Sequence, residues 1–271
     1  SDEDLNIIEK ITVPTRKPEE TFQDVFKLFD QYDLKSIGIG SFGPIDVSEE
    51  SATYGYVTST PKAHWSNTDF KGVFEERYNI PVGWTTDVNA AALAEHKLGA
   101  AKDKESCVYI TVGTGIGGGA VIDGELLEGF NHPEMGHFYP PRHEKDNYEG
   151  ICAYHGDCLE GLAAGPAIEG RYGISAKELP EDHEAWEIEA HYLAHAALTY
   201  TMVLRPSCII FGGGVMSQSH LFDKVHSKFE EILSDYLDVP ALEDYIIPTG
   251  LGDQSGILGS LLLAKEAITK K

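Results

Sequence analysis

Short apolar runs rich in β-branched residues alternate along this chain with longer stretches of helical periodicity, and that alternation restricts it to an α/β architecture. Strands are expected at 36–40, 82–85, 107–111, 120–122 and 208–211, and helices at 19–31, 88–98, 185–204, 221–236 and 256–268. With 271 residues the chain can bury one large core or two modest ones, and a charged stretch at 99–104, between a helix and a new strand, suggests where two lobes would meet. The longest aliphatic run, at 261–264, is far too short to span a bilayer.

Charge excludes some partners. Against 44 acidic residues stand 21 basic ones, a formal charge of -23, and no basic stripe reverses it locally. Such a chain repels a nucleic-acid backbone or an anionic membrane at long range. No positively charged segment followed by an apolar one opens the sequence, so the cytoplasm is the expected location. Cys107 and Cys208 each open an apolar run and are expected as buried, reduced strand residues rather than disulfide partners.

Five motifs carry chemistry. "ICAYHGDCLEG" sets Cys152, His155 and Cys158 at three-residue steps, with His137 fifteen positions upstream as a fourth donor: the ligand types of a tetrahedral zinc site. A structural zinc contributes on the order of 10 kcal/mol, enough to order a loop without its own core; the alternative is an exposed loop with incidental Cys and His. "YPPRHEKDNYEG", at 139–150, has charge, prolines and no period, and should be an exposed loop running into that cluster. "TVGTGIGGGAVIDG" takes a strand into Gly113, Thr114, Gly115 and Gly117–119, then a second strand and an Asp123-Gly124 hairpin turn. Its backbone N–H groups and the Thr114 hydroxyl could cradle a phosphate, or form an ordinary glycine turn. "IIFGGGVMSQ" places Gly213 and Gly214 just past a strand, where ligands sit in open α/β sheets.

In "TTDVNAAALAEHKLG", Asp87 ends a strand and stands as N-cap to an alanine-rich helix whose apolar face holds 90–93 and Leu98. A carboxylate there could also take the proton of an attacking hydroxyl. "HPEMGH" and "CLEG" bring Glu134, His137 and Glu160 near the metal cluster, where carboxylates could read vicinal hydroxyls; alone, each Glu would be an ordinary solvated acid.

In order and spacing, "GSFGPID", "TDVNAAALAE", "TVGTGIGGGAVIDGELLEG", "EMGH", "CLEG" and "FGGGV" resemble the ROK family of sugar kinases, and the Cys-x2-His-x2-Cys variant is most similar to its bacterial fructokinase branch. The resemblance implies a two-lobed actin-like and hexokinase-like (RNase H-like) ATPase fold with a cleft. Residues 1–100 would form the N-terminal lobe, joined by a C-terminal helix at 256–271, and 101–255 the lobe with the zinc loop and nucleotide loops. It implies ATP-dependent phosphorylation of a hexose, D-fructose first, by a homodimer.

By the same resemblance Asp87 is the catalytic base, and Asn89, Glu134, His137 and Glu160 contact the sugar. His137, Cys152, His155 and Cys158 hold a structural Zn2+. Gly113, Thr114, Gly115, Pro166, Gly213 and Gly214 hold the ATP or ADP that carries Mg2+. Other hexoses, or a sugar-binding regulator without turnover, remain alternatives. Thr86 stands where many members have Asn. The family's opening strand and phosphate-binding turn do not occur between 1 and 36; "SDEDLNIIEKITVPT" resembles the second strand of that hairpin, so the first is expected to lie outside the numbered sequence, and its true absence would impair ATP binding.

Overall fold

In the computed structural model, which describes residues 1–269, the chain divides into two compact units. One comprises Ser1–Ala94, Glu128–His132 and the chain from Gln254; the other comprises Glu95–Leu127 and Pro133–Asp253. The division falls inside a helix rather than at 99–104, and the short stretch 128–132 joins the first unit. The reason is hydrogen bonding: His132 Nε2 accepts the Ile45 N–H at 3.0 Å, and Asn131 Oδ1 accepts the Val47 N–H at 3.3 Å.

The first unit is built from α1 (Pro18–Phe29), β1 (Ile37–Ser41), the short pair β2 (Tyr56–Val57) and β3 (Thr68–Asp69), α2 (Phe70–Tyr78), β4 (Val82–Thr86) and α3 (Asp87–Lys97). β1 and β4 pair in parallel. The C-terminal helix, Ser255–Thr269, lies so close to them that a Cβ on Gly38 would stand 1.7 Å from the Ser260 carbonyl oxygen; positions 270 and 271 of the expected helix lie outside the described residues. The core is aromatic: Phe22 meets Trp65 and Phe74 edge-on, each at 5.5 Å between centroids, and Phe70 at 4.9 Å. α2 escaped the sequence reading, yet its signals are present: Asp69 accepts the Gly72 N–H as N-cap, and Asn79 closes the helix in the left-handed conformation. The opening segment forms no strand, because among the described residues no strand pairs with it; it is tied down instead where Trp65 Nε1–H donates to the Arg16 carbonyl at 2.8 Å.

In the second unit a mixed sheet runs in the order β7-β6-β5-β8-β9: β5 (Cys107–Val112), β6 (Ile116–Ile122), β7 (Glu125–Leu126), β8 (Ile209–Gly212) and β9 (Ile246–Pro248). The helices are α4 (Leu159–Ala163), α5 (Gly165–Tyr172), α6 (Ala185–Leu204), α7 (His220–Leu233) and α8 (Leu242–Tyr245). The Asp123-Gly124 turn forms as expected, with φ of 53° and 83°, joining β6 to β7. Gly117–119 belong to β6 rather than to the turn; a Cβ on Gly118 would press within 2.6 Å of Ile110, so glycine is what lets the strand fit. α7 stops at Leu233, with Ser234 left-handed, short of the expected 236. Leu98 lies past the end of α3 and is 39% exposed rather than on the apolar face. Cys107 is buried on β5, and Cys208 is buried one residue ahead of β8. No helix is long and apolar enough to cross a membrane, among the described residues.

Candidate functional site

At the carboxyl edge of the first unit, Ser41 of β1 pairs with Thr86 of β4, so the next residues, Phe42 and Asp87, emerge side by side. The sequence cast Asp87 as the helix cap, but Thr86 does that work: its Oγ1 accepts the Asn89 N–H at 3.0 Å. Asp87 accepts the Val88 N–H at 2.8 Å and its own backbone N–H, which leaves lone pairs for something else. It is exposed as a residue, yet desolvation by the protein around it raises its carboxyl above the ordinary aspartate range; backbone N–H groups and the charges of Lys62 and His132 oppose that rise. Lys62 and His132 were not singled out in the sequence. Lys62 has a signal, since it is the one Lys or Arg between 36 and 70.

Asn89, two helical positions on, faces the opposite way. It is fully buried, its Nδ2 donating to Thr85 Oγ1 at 3.1 Å while Oδ1 is buried without a partner. Its visible work is bracing the turn that presents Asp87.

In the second unit, the segments after β5 and β8 come together with the start of α5. The Gly165 N–H donates to the Gly113 carbonyl at 2.8 Å, with Pro166 in the first turn of α5, and a Cβ on Gly113 would stand 3.9 Å from the Gly214 nitrogen. Gly213 has φ +90°, and a Cβ there would fall 2.4 Å from the Val112 carbonyl oxygen, so only glycine fits. Thr114, Gly213 and Gly214 are exposed at this edge. The predicted nucleotide residues therefore gather in one place: a strip of backbone polar groups at the carboxyl ends of adjacent parallel strands.

The same glycine turn fixes an acid. The Ile116 N–H donates to Glu160 Oε2 at 3.0 Å, directing Oε1 to within 4.0 Å of His137 Nε2. On its other side His137 Nε2 stands 3.9 Å from Glu134 Oε2. Both separations exceed a hydrogen bond and are short enough for one hydroxyl to bridge the pair from the side.

His137 turns its other nitrogen to the cysteines. Nδ1 lies 3.4 Å from Cys158 Sγ and 3.7 Å from Cys152 Sγ, and His155 Nδ1 lies 3.6 Å from Cys152 Sγ. One ligand atom from each of the four residues falls within 4.8 Å of all the others. With bonds of about 2.3 Å to sulfur and about 2.05 Å to nitrogen, a tetrahedral zinc has N···S edges of about 3.5 Å, so the donors match that ion in kind and spacing. Burial, with the neighbouring Cys152, pushes the Cys158 thiol up to about 12, and a thiol so placed ionises only where a cation compensates.

The cluster sits where packing is thin. Between 139 and 157 only Pro140 and Asp146 are buried. The expected exposed loop is pinned most firmly at Asp146, where Arg171 donates to both carboxylate oxygens at 3.0 and 2.9 Å and Tyr192 Oη–H donates at 2.6 Å. Burial would raise the Asp146 carboxyl, but these donors hold it below the usual aspartate range.

The chain is 45% identical to a fructokinase of Streptococcus mutans over 271 residues, 98% of this chain and 92% of the other. It is 44% identical to a fructokinase of Pediococcus pentosaceus over 266 residues, again 98% and 92%. Its fold superposes on a ROK hexokinase from Thermus thermophilus with a TM-score of 0.76 at 26% identity, covering 96% of this chain and 91% of that one. A ROK family profile matches residues 1–267, and the chain therefore belongs to the ROK family.

Proposed function

We propose that the protein is an ATP-dependent hexose kinase that transfers the γ-phosphoryl group to D-fructose, giving fructose 6-phosphate. The observation that carries the reaction class is Asp87: an exposed carboxylate of raised basicity, relieved of capping by Thr86, at the carboxyl end of a parallel strand. In this reading Asp87 accepts the proton of the 6-hydroxyl as it attacks. Glu134, Glu160 and His137 Nε2, close enough for one hydroxyl to bridge neighbouring pairs, hold the sugar hydroxyls, each carboxylate bond contributing about 1.5–3 kcal/mol. Gly113, Thr114, Gly115, Gly213, Gly214 and Pro166 line the nucleotide, and Mg2+ arrives with ATP to spread the phosphate charge.

Zn2+ is the ion the His137, Cys152, His155 and Cys158 set fits best, and with all four positions filled by protein its work is structural. Through His137 it would fix the imidazole that faces the two acids. Fructose is favoured over other hexoses by the nearly full-length identity to fructokinases. A cytoplasmic homodimer completes the reading and rests on the family resemblance.

The test is coupled ADP release with Mg-ATP across fructose, glucose, mannose and N-acetylated hexoses, on protein of measured zinc content. Fructose should give the highest kcat/KM, by about tenfold or more. A higher value for another hexose would remove fructose, and no turnover with any would remove the kinase.

A further inference from the structure

In a chain of charge -23, Lys62 is set apart by where it stands rather than by being unpaired, since Lys10, Lys17, Lys97, Lys102, Lys104, Lys145, Lys177 and Lys265 likewise make no ion pair among the described residues. Lys27, Lys35, Lys71, Lys224 and Lys228 each contact a carboxylate. The Lys62 ammonium has no ion pair among the described residues; it stands over the Phe42 ring, 4.6 Å from its centroid. Phe42 is held from another side by Trp65, edge-on at 5.2 Å, and Trp65 is 1% exposed. The Trp65 N–H donates to the Lys62 carbonyl at 3.2 Å, so the tryptophan that anchors the ring also anchors the lysine's loop. Phe42 and Asp87 follow the paired residues Ser41 and Thr86. The ammonium is thus delivered, without a carboxylate partner, to the strand edge that carries the proton acceptor.

We infer that Lys62 is a second charged residue of the phosphoryl-transfer step, its ammonium contacting the oxygens of the γ-phosphoryl group as they gather charge. The inference rests on the kinase reading above. In the step, the sugar hydroxyl oxygen bonds to the γ-phosphorus while the bond to the β–γ bridging oxygen breaks. Asp87 takes the hydroxyl proton and ADP leaves with the bridging oxygen. A fixed cation facing the non-bridging oxygens lowers the barrier by favouring the transition state over the bound substrates. Lys62 has a second effect: its charge restrains the rise of the Asp87 carboxyl.

Lys62→Met keeps the apolar stem over Phe42 and removes the charge. The readouts are single turnover of fructose with excess Mg-ATP, steady-state KM for fructose, and the acid limb of the pH–rate profile. We expect the turnover rate to fall roughly 100-fold, KM to change less than about threefold, and the acid limb to move to higher pH because Asp87 has lost a neighbouring cation. Lys62→Arg should recover part of the rate. A Lys62→Met rate within about twofold of the parent overturns the inference while leaving the kinase reading intact. So does a loss confined to KM, which marks a sugar contact, or a lower melting temperature with an unmoved acid limb, which marks packing alone. Absence of turnover in the parent protein with every hexose overturns the kinase reading and this inference with it.

Discussion

Two acidic regions of the molecule are positioned by different physics. Asp87 is set by backbone and packing: β4 delivers it, Thr86 caps the helix it opens, and the alanines behind it at 90, 91, 92 and 94 are buried to within 3% exposure. Nothing in that arrangement needs a cation. His137 borders the thinly packed segment 139–157 and faces cysteine sulfurs 3.4 and 3.7 Å from its Nδ1, while Glu160 rides on α4, whose Leu159, Leu162 and Ala163 are buried in the second unit's core. The first region is organised as soon as the chain folds. The second has its acid held by the Ile116 N–H and its imidazole beside cysteine and histidine donors that would close on an ion. The lesson is that the same kind of side chain can be rigid by inheritance from a core or rigid by ligation, and the two fail differently.

The sharpest way to break this comparison is Asp87→Asn. If the carboxylate is the proton acceptor, kcat should fall by roughly 10²- to 10⁴-fold, the largest effect expected. Folding should not suffer. The folded-state pKa of Asp87 is raised by desolvation, so the folded protein binds a proton more readily than the unfolded chain, and stability from this group is lost as pH rises from the unfolded value through the raised one. At neutral pH the ionised group opposes folding, and the amide removes that opposition. A calorimetric melt at pH 7 should therefore show a melting temperature equal to or above the parent's; a clear drop would mean Asp87 is structural after all.

The metal-dependent region should respond the other way. Chelation, or Cys158→Ser, should raise KM for the sugar by about 10- to 100-fold, in the range seen when a metal centre loses its support, and should lower the melting temperature along with zinc content. Amide exchange resolved by segment sharpens the test, since protection should be lost across 139–158 while β1, β4 and α3 keep theirs. Uniform loss across both regions would show that the ion supports the whole fold.

How much of this could be read in advance follows the same division. The strands at 107–112 and 209–212 were legible because β-branched apolar runs admit few other structures, and the Cys/His cluster was legible because its chemistry lies in residue type and spacing. What could not be read depended on partners distant in sequence. Gly117–119 look like a loop until the strand pairing is seen and Ile110 is found occupying the space a Gly118 side chain would need. Thr86 and Asp87 are adjacent hydroxyl and carboxyl groups, either of which could cap α3, and only the registered backbone decides. α4 and α5, in "LEGLAAGPAIEG", are two short helices rich in glycine, too brief for a 3.6-residue period to declare itself. The ion pair of Asp146 with Arg171 joins a structureless loop to a helix 25 residues away, and no local pattern announces it.

The smallest expected effect tests the idea that packing alone suffices away from the site. Glu189 lies on α6, is 1% exposed, and neither of its carboxylate oxygens has a hydrogen-bond partner. Burial raises its pKa well above the usual glutamate value, with only the charge of Arg171 pulling the other way. Stability therefore falls as pH rises from about 4.5, the unfolded value, through the folded one. Glu189→Met fills similar volume without a group to desolvate, and should stabilise the protein at pH 8 by about 1–3 kcal/mol. At pH 4, below the unfolded value, where the parent carboxyl is mostly neutral in both states, the gain should shrink. Urea melts of the two proteins at both pH values measure the difference directly. An equal gain at each pH would mean that the improvement comes from packing; a loss at pH 8 would mean that Glu189 has a partner when the protein is in water, and that the second unit's core is less dry than its burial implies.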